Sequence, residues 1–221
     1  MSSSIKALIF DVYGTLLDVH SVIEKCEELY PEKGKQISQT WRQKQIEYSF
    51  LRQLMGNYTP FSHVTADALR YAVHEHGYEL LHNQEQTLMN AYLHLQHYDE
   101  VEAVLKEFTN CKRAVFSNGS HDMLDPLIKN AGLTSLFDKI ISVDDVKQYK
   151  PTPASYLHAL NVLGVERHEV LFMSSNGWDI SGAKSFGFRT AWINRLHKPT
   201  EQLQVPPDAI YSDLRGILEW K

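Results

Sequence analysis

Asp11 follows the apolar run Ala7-Leu8-Ile9-Phe10 and precedes the turn Gly14-Thr15. A carboxylate there stands at the carboxyl end of a buried strand, where open α/β sheets bind ligands. Three further short apolar runs also end in polar residues. The run at 113–116 leads into Ser117-Asn118-Gly119, and the run at 139–143 is followed by Lys150-Pro151. The run at 170–173 leads into Ser174-Ser175-Asn176-Gly177-Trp178-Asp179. In a parallel sheet all strands deliver these ends to one edge, so Asp11, Tyr13, Thr15, Lys150 and Asp179 should meet there with several hydroxyls and amides. Taken singly, Ser-Asn-Gly is most often a turn and a loop lysine most often solvated. Four such loops converging on one edge describe a site: two carboxylates, one ammonium and a set of hydrogen-bond donors.

The elements that must position these residues are legible as alternation. Runs at 5–10, 113–116, 139–143, 170–173 and 190–193 read as strands buried on both faces. Segments 100–108, 123–131, 155–163 and 180–186 read as helices. Gly132, Gly164 and Gly187 sit at helix ends, and Thr152-Pro153 reads as an N-cap with proline in the first turn. The fold class is α/β, a doubly wound, Rossmann-like parallel sheet. Residues 19–97 break the alternation with helical patterns alone, far longer than a crossover requires. Between 37 and 55 the larger apolar residues fall at 37, 41, 46, 50 and 54, which suits an amphipathic helix ended by Gly56-Asn57. The insertion leaves directly from the Asp11 loop. It reads as a helical cap domain (19–97) over an α/β core (1–18 and 98–221), with an unrelated helical subdomain as the other reading.

Composition narrows the function. The chain has 221 residues, 43% hydrophobic and 22% charged, with a formal charge of −5. No basic stripe suggests nucleic acid, and no apolar run is long enough for a membrane span. The first residues lack a signal-like leader, and the two cysteines, Cys26 and Cys111, lie far apart, so a cytoplasmic location with reduced thiols is expected. Of the 11 histidines, His74 and His76 flanking Glu75, and His94 with His97, are the best metal candidates. Their polar contexts favour solvated surface. His121, after the Ser-Asn-Gly loop, has no assigned role.

The stretch Asp11-Val12-Tyr13-Gly14-Thr15-Leu16 resembles the nucleophile motif Asp-x-Asp-Gly-Thr-Leu of the haloacid dehalogenase superfamily. Most members are phosphatases, whose second Asp protonates a leaving alkoxide. Here Tyr13 stands in that position, and a halide needs no proton to leave. The segments Trp41-Arg42-Gln43-Lys44-Gln45, Tyr149-Lys150-Pro151 and Ser174-Ser175-Asn176-Gly177-Trp178-Asp179 are similar to those of the (S)-2-haloacid dehalogenases over nearly the whole chain. Ser175-Asn176 stands where phosphatases carry a magnesium-binding acid, so a metal-free, cofactor-free site is expected.

The resemblance implies roles. Asp11 would attack C2 of a 2-haloacid in line, forming an ester, and water would then release the 2-hydroxyacid. Arg42, with Asn118, would cradle the halide. Ser117 and the backbone amides around Val12 and Tyr13 would bind the substrate carboxylate. Thr15 and Ser174 would hold Asp11, and Lys150 would counter its charge. Asp179 would anchor Lys150 or activate water, alone or with Asn176, and these two roles stay open. Phe61, Trp178 and Ile46 would wall the alkyl group, and Tyr156 would reach the site or else be an ordinary helix tyrosine. A homodimer is implied. The competing functions are a phosphatase of the same superfamily and a non-catalytic binding protein.

Overall fold

The run ending at Asp11 forms strand β1 (Ala7–Phe10) in the computed structural model, which describes residues 4–221. There follow β2 (Leu17–Asp18), α1 (His20–Leu29), α2 (Gly34–Leu54), α3 (Phe61–Glu75), α4 (His82–Ala91) and β3 (Gln96–His97). Then come α5 (Val101–Lys106), β4 (Lys112–Ser117), α6 (His121–Asn130), β5 (Lys139–Ser142), α7 (Pro153–Leu163) and β6 (Val170–Ser174). The chain closes with α8 (Gly177–Phe186), β7 (Arg189–Ile193) and β8 (Ala209–Tyr211).

Six strands form one sheet in the order β5-β4-β1-β6-β7-β8, and every pairing is parallel. β1 lies inside it with no residue exposed, so its apolar run needs no alternation. Each large side chain buried there, such as Leu8, Ile9 or Phe172, contributes roughly 1.5–3 kcal/mol of transfer free energy. Gly132, Gly164 and Gly187 take positive φ just past α6, α7 and α8.

The expected elements differ from the observed ones in four places. A sixth strand, β8, extends the sheet; it has three residues and half-exposed faces, too weak a signal to separate from loop. The insertion is not wholly helical, because β3 pairs antiparallel with β2, Leu17 opposite His97 and Asp18 opposite Gln96. α2 does not bury one stripe. Ile37 and Trp41 are buried, but five residues at about 100° each carry Ile46 off that line, and Leu54 is 84% exposed. The continuing buried positions are polar: Gln45 donates to Thr65 Oγ1 (3.1 Å) and accepts from the Tyr92 hydroxyl (3.1 Å). Thr152 takes the N-cap position of α7 and Pro153 its first helical position as expected, but the Thr152 hydroxyl donates to Tyr149 O (2.8 Å) in place of accepting from the helix.

The helices between β2 and β3 meet the sheet edge through polar contacts and through ring contacts such as Phe50 on Trp178 and Tyr58 on Tyr149. Tyr58 donates to Asp144 (2.7 Å), Tyr149 N–H to Gln53 (2.8 Å) and the Tyr149 hydroxyl to Thr59 O (2.6 Å).

Candidate active site

Asp11 leaves β1 into a tight turn in which the N–H groups of Thr15, Leu16 and Leu17 all donate to Val12 O (3.1, 3.0 and 3.1 Å). Gly14 has φ +82°, a conformation that costs a side-chain-bearing residue energy. The turn folds Thr15 back onto the carboxylate. Its hydroxyl donates to Asp11 Oδ2 (3.1 Å), and so do Ser174 Oγ (3.2 Å) and Asn176 Nδ2 (3.0 Å). Both hydroxyls are aimed by backbone donors. Ser175 N–H donates to Thr15 Oγ1 (2.8 Å) and Asn176 N–H to Ser174 Oγ (3.1 Å), which leaves each hydroxyl proton free for Asp11.

Among the described residues the other oxygen, Oδ1, accepts only from Lys150 Nζ (3.0 Å). That ammonium is fully buried and spends its remaining protons on Asp179 Oδ2 (2.6 Å) and Phe116 O (3.2 Å). Burial alone would lower the Lys150 pKa, but the charges of Asp11 and Asp179 outweigh it and hold it above the ordinary value. Burial pushes the Asp179 carboxyl up, Lys150 pulls it down and Asp11 pushes it up again, for a pKa of about 6. The lysine's backbone is locked to the neighbouring loop as well, since Lys150 N–H donates to Asn118 Oδ1 (2.9 Å).

A cavity of about 20 Å³ lies against Asp11, space for roughly one water. From the sheet edge it is walled by Tyr13, Ser117, Asn118, Lys150, Asn176 and Trp178. From the inserted helices come Arg42, Ile46 and Phe61, together with Ser49. Two donors on this wall, the Tyr13 hydroxyl and Trp178 Nε1, are buried without a partner among the described residues. Burial, and then Tyr92, raise the Tyr13 pKa, so the phenol is a neutral donor. Arg42 reaches in beside them; its Nη2 makes a long contact to Asn176 Oδ1 (3.4 Å), and no carboxylate pairs with it among the described residues. The cavity thus sets one pinned carboxylate among unspent donors, an arrangement for an anionic substrate that sheds an anion.

Five expected residues do not wall the cavity. Thr15 and Ser174 act on Asp11 from behind. Val12 contributes its carbonyl to the turn. Asp179 lies behind Lys150, fully buried, and so does not face the cavity directly. Tyr156 does not reach the cavity either. Its hydroxyl donates to Asp179 Oδ1 (2.8 Å), in a space kept by Gly182, where a Cβ would stand 2.6 Å from the tyrosine hydroxyl. Two residues escape the sequence reading: Ser49, which walls the cavity from α2, and Arg195, just after β7, which donates to Thr15 O (2.9 Å) and Glu100 (2.6 Å). The rule that finds the other four loops also points to Arg195.

The donor set does not suit a divalent cation. All four carboxylate oxygens of Asp11 and Asp179 already accept from protein donors, and Tyr13 and Asn176 bring no charge. Among the described residues no cluster of three His, Cys, Asp or Glu side chains is arranged to hold a metal.

Because Asp179 is anionic only above its raised pKa, acid should loosen its grip on Lys150. The turnover rate should fall about tenfold per pH unit below pH 6 and stay level past pH 10, where Lys150 is still charged. A pH–rate profile checks this; an acid limb near pH 4, or an alkaline limb below pH 9, would contradict it.

A family model described as haloacid dehalogenase-like hydrolase matches residues 5–187. A (S)-2-haloacid dehalogenase of Pseudomonas sp. (strain YL) is 44% identical over 217 residues, covering 97% of this chain and 94% of that protein. The crystal structure of an L-2-haloacid dehalogenase matches with a TM-score of 0.97 at 44% identity, over 99% of both chains. The L-2-haloacid dehalogenase from Xanthobacter autotrophicus with chloropropionic acid covalently bound matches with a TM-score of 0.92 at 42% identity, over 97% of this chain and 96% of that one.

Proposed function

The chain belongs to the haloacid dehalogenase-like hydrolases, and from that premise we propose that it hydrolyses (S)-2-haloalkanoic acids to (R)-2-hydroxyalkanoic acids and halide through an ester on Asp11. One observation carries the mechanism: the two oxygens of Asp11 are unequal. Oδ2 is engaged by three donors, whereas Oδ1 has one. Oδ1 is the nucleophile. It attacks C2 opposite the halogen, the carbon–halogen bond breaks, and the halide leaves with the electron pair, inverting C2. Arg42, Asn118 and the unpartnered Trp178 Nε1 face the growing negative charge. Ser117 and Tyr13 take the substrate carboxylate, and Ile46 and Phe61 cover the alkyl group.

In the second step water adds to Asp11 Cγ. The negative charge of the tetrahedral intermediate then falls on Oδ2, so Thr15, Ser174 and Asn176 serve as its oxyanion hole without rearranging. The Cγ–Oδ1 bond breaks beside the Lys150 ammonium, the old Oδ1 leaves in the hydroxyacid with one proton of the added water, and the other proton is released to solvent. The net balance is one water consumed, one halide and one proton released. Asp179 and Tyr156 are positioning residues for Lys150.

The same proposal includes the division into a helical cap (19–97) and a core (1–18 and 98–221). The narrow β2–β3 pairing at the neck supports it. It also includes a homodimer, for which the exposed Leu54 and Met55 offer an apolar surface, and a cytoplasmic location, with which free Cys26 and Cys111 agree. No helix among the described residues is long and apolar enough to cross a membrane.

The test is halide release from each enantiomer of 2-chloropropionate, with and without a chelator. Chloride should appear from the (S) enantiomer alone and at the same rate with chelator. No chloride from either enantiomer, or magnesium-dependent phosphate release from a phosphomonoester in its place, would return the chain to the phosphatase reading.

A further inference from the structure

A second cavity, of about 290 Å³, lies across the wall from the first. The two share Tyr13, Arg42 and Asn176, so the same three residues face both spaces. The larger one reaches solvent at Leu196 and Lys198, both exposed.

Its charge is opposite to that of the molecule. The protein carries a formal −5, yet this basin is lined by Arg42, Arg195 and Lys198 and by a single acid, Asp18. The charges are not equally free. Arg195 is neutralised by Glu100 at 2.6 Å and lies flat on Tyr98, 3.6 Å from the ring centre, although its buried Nε has no partner. Asp18 keeps its charge, since its Oδ1 accepts only from neutral donors, the His20 N–H (2.9 Å) and the Tyr98 hydroxyl (3.5 Å), so among the lining residues two cations, Arg42 and Lys198, stand against one acid. Neither Arg42 nor Lys198 pairs with a carboxylate among the described residues. Lys198 is held at the rim by its own backbone: Asn194 Oδ1 accepts the Lys198 N–H (2.9 Å), and Asn194 Nδ2 donates to Lys198 O (2.8 Å). A double clasp of this kind spends bonds to fix the place of a lysine that makes no ion pair.

We propose that this basin is an anion-capture site: it concentrates the monovalent haloalkanoate at Lys198 and Arg42 before the substrate passes the shared wall to Asp11. The inference rests on the dehalogenase reading and adds to it the route and a residue that sets substrate capture. The cavity at Asp11 holds about one water, whereas the basin has room for a small carboxylate with its alkyl group and halogen. Low-dielectric walls with an uncompensated cation raise the local concentration of an anion, and salt removes the effect.

The test compares Lys198→Glu with Lys139→Glu. Both change the net charge equally, but Lys139 is an exposed residue at the start of β5, on the opposite edge of the sheet. In Lys198→Glu, kcat/KM for (S)-2-chloropropionate should fall roughly three- to tenfold at low salt, with kcat unchanged, and recover toward wild type in about 0.5 M salt. Lys198→Gln should fall between, and Lys139→Glu should match wild type. Equal effects of the two charge reversals, a loss that persists in high salt, or a loss in kcat would each overturn the proposal. Unchanged kcat/KM with weaker inhibition by chloride would mean that only the departing halide uses the basin, and would overturn it as well. Failure of the wild type to release halide is a separate outcome, and it would remove the dehalogenase reading itself.

Discussion

Replacing Asp11 with alanine should slow halide release by on the order of 10⁴-fold or more, with little change in melting temperature. The rate effect is large because no other group can supply the attacking atom. Asp179 is the other carboxylate in the cluster, and it lies behind Lys150, bonded on both oxygens and away from the cavity. The stability effect is small because the variant leaves Lys150 paired with Asp179 and with Phe116 O, so no buried charge is orphaned. A rapid quench of the wild type followed by peptide mass analysis should find the alkanoate on the Asp11 peptide, and the alanine variant should show none. Turnover in Asp11→Ala within about tenfold of wild type would mean that water attacks C2 directly.

The second large effect is expected at Lys150. Lys150→Met keeps the volume and removes the charge between two buried carboxylates. Breaking a buried pair by removing one partner costs about 3–5 kcal/mol, because the remaining charge has lost its compensation. Here two carboxylates lose it at once, Asp11 at 3.0 Å and Asp179 at 2.6 Å. Denaturant unfolding should show the loss. Adding Asp179→Asn should recover part of the stability, since it removes one orphaned charge, and should recover none of the activity, since Oδ1 still lacks its cation. A Lys150→Met protein as stable as wild type would show that the ammonium is dispensable to the fold.

Both effects involve residues that are legible in the amino-acid sequence, and the reason is topological. Asp11, Ser117 and Ser174 each close or follow a buried run, and parallel strands carry them to one edge whatever the loops do. Lys150 comes eight residues after β5 ends, yet it follows the same rule. Arg195 obeys the rule too and is easily passed over, because its run is followed by a loop rich in charge that reads as surface. Direction is harder to read. Tyr156 and Asp179 fall in the right neighbourhood, but their aim depends on close approach of α7 to α8 at Gly182, which no spacing announces. In α2 the apolar positions misstate the buried face, because Gln45 is paired at both ends of its amide, by Thr65 of α3 and by Tyr92 just past α4. A buried polar residue whose partners lie far away in sequence is indistinguishable from a solvated one until the chain is folded.

The unequal hold on Asp11 has a consequence for the protein's own atoms. Each catalytic cycle gives one carboxylate oxygen away in the product and takes a replacement from solvent. If the group could turn over freely between cycles, both oxygens would be exchanged in time. Three donors keep Oδ2 facing them, so the newcomer always occupies the attacking position. After many cycles the side chain is a composite: one oxygen was placed there when the chain was synthesised, and the other is as young as the last molecule transformed.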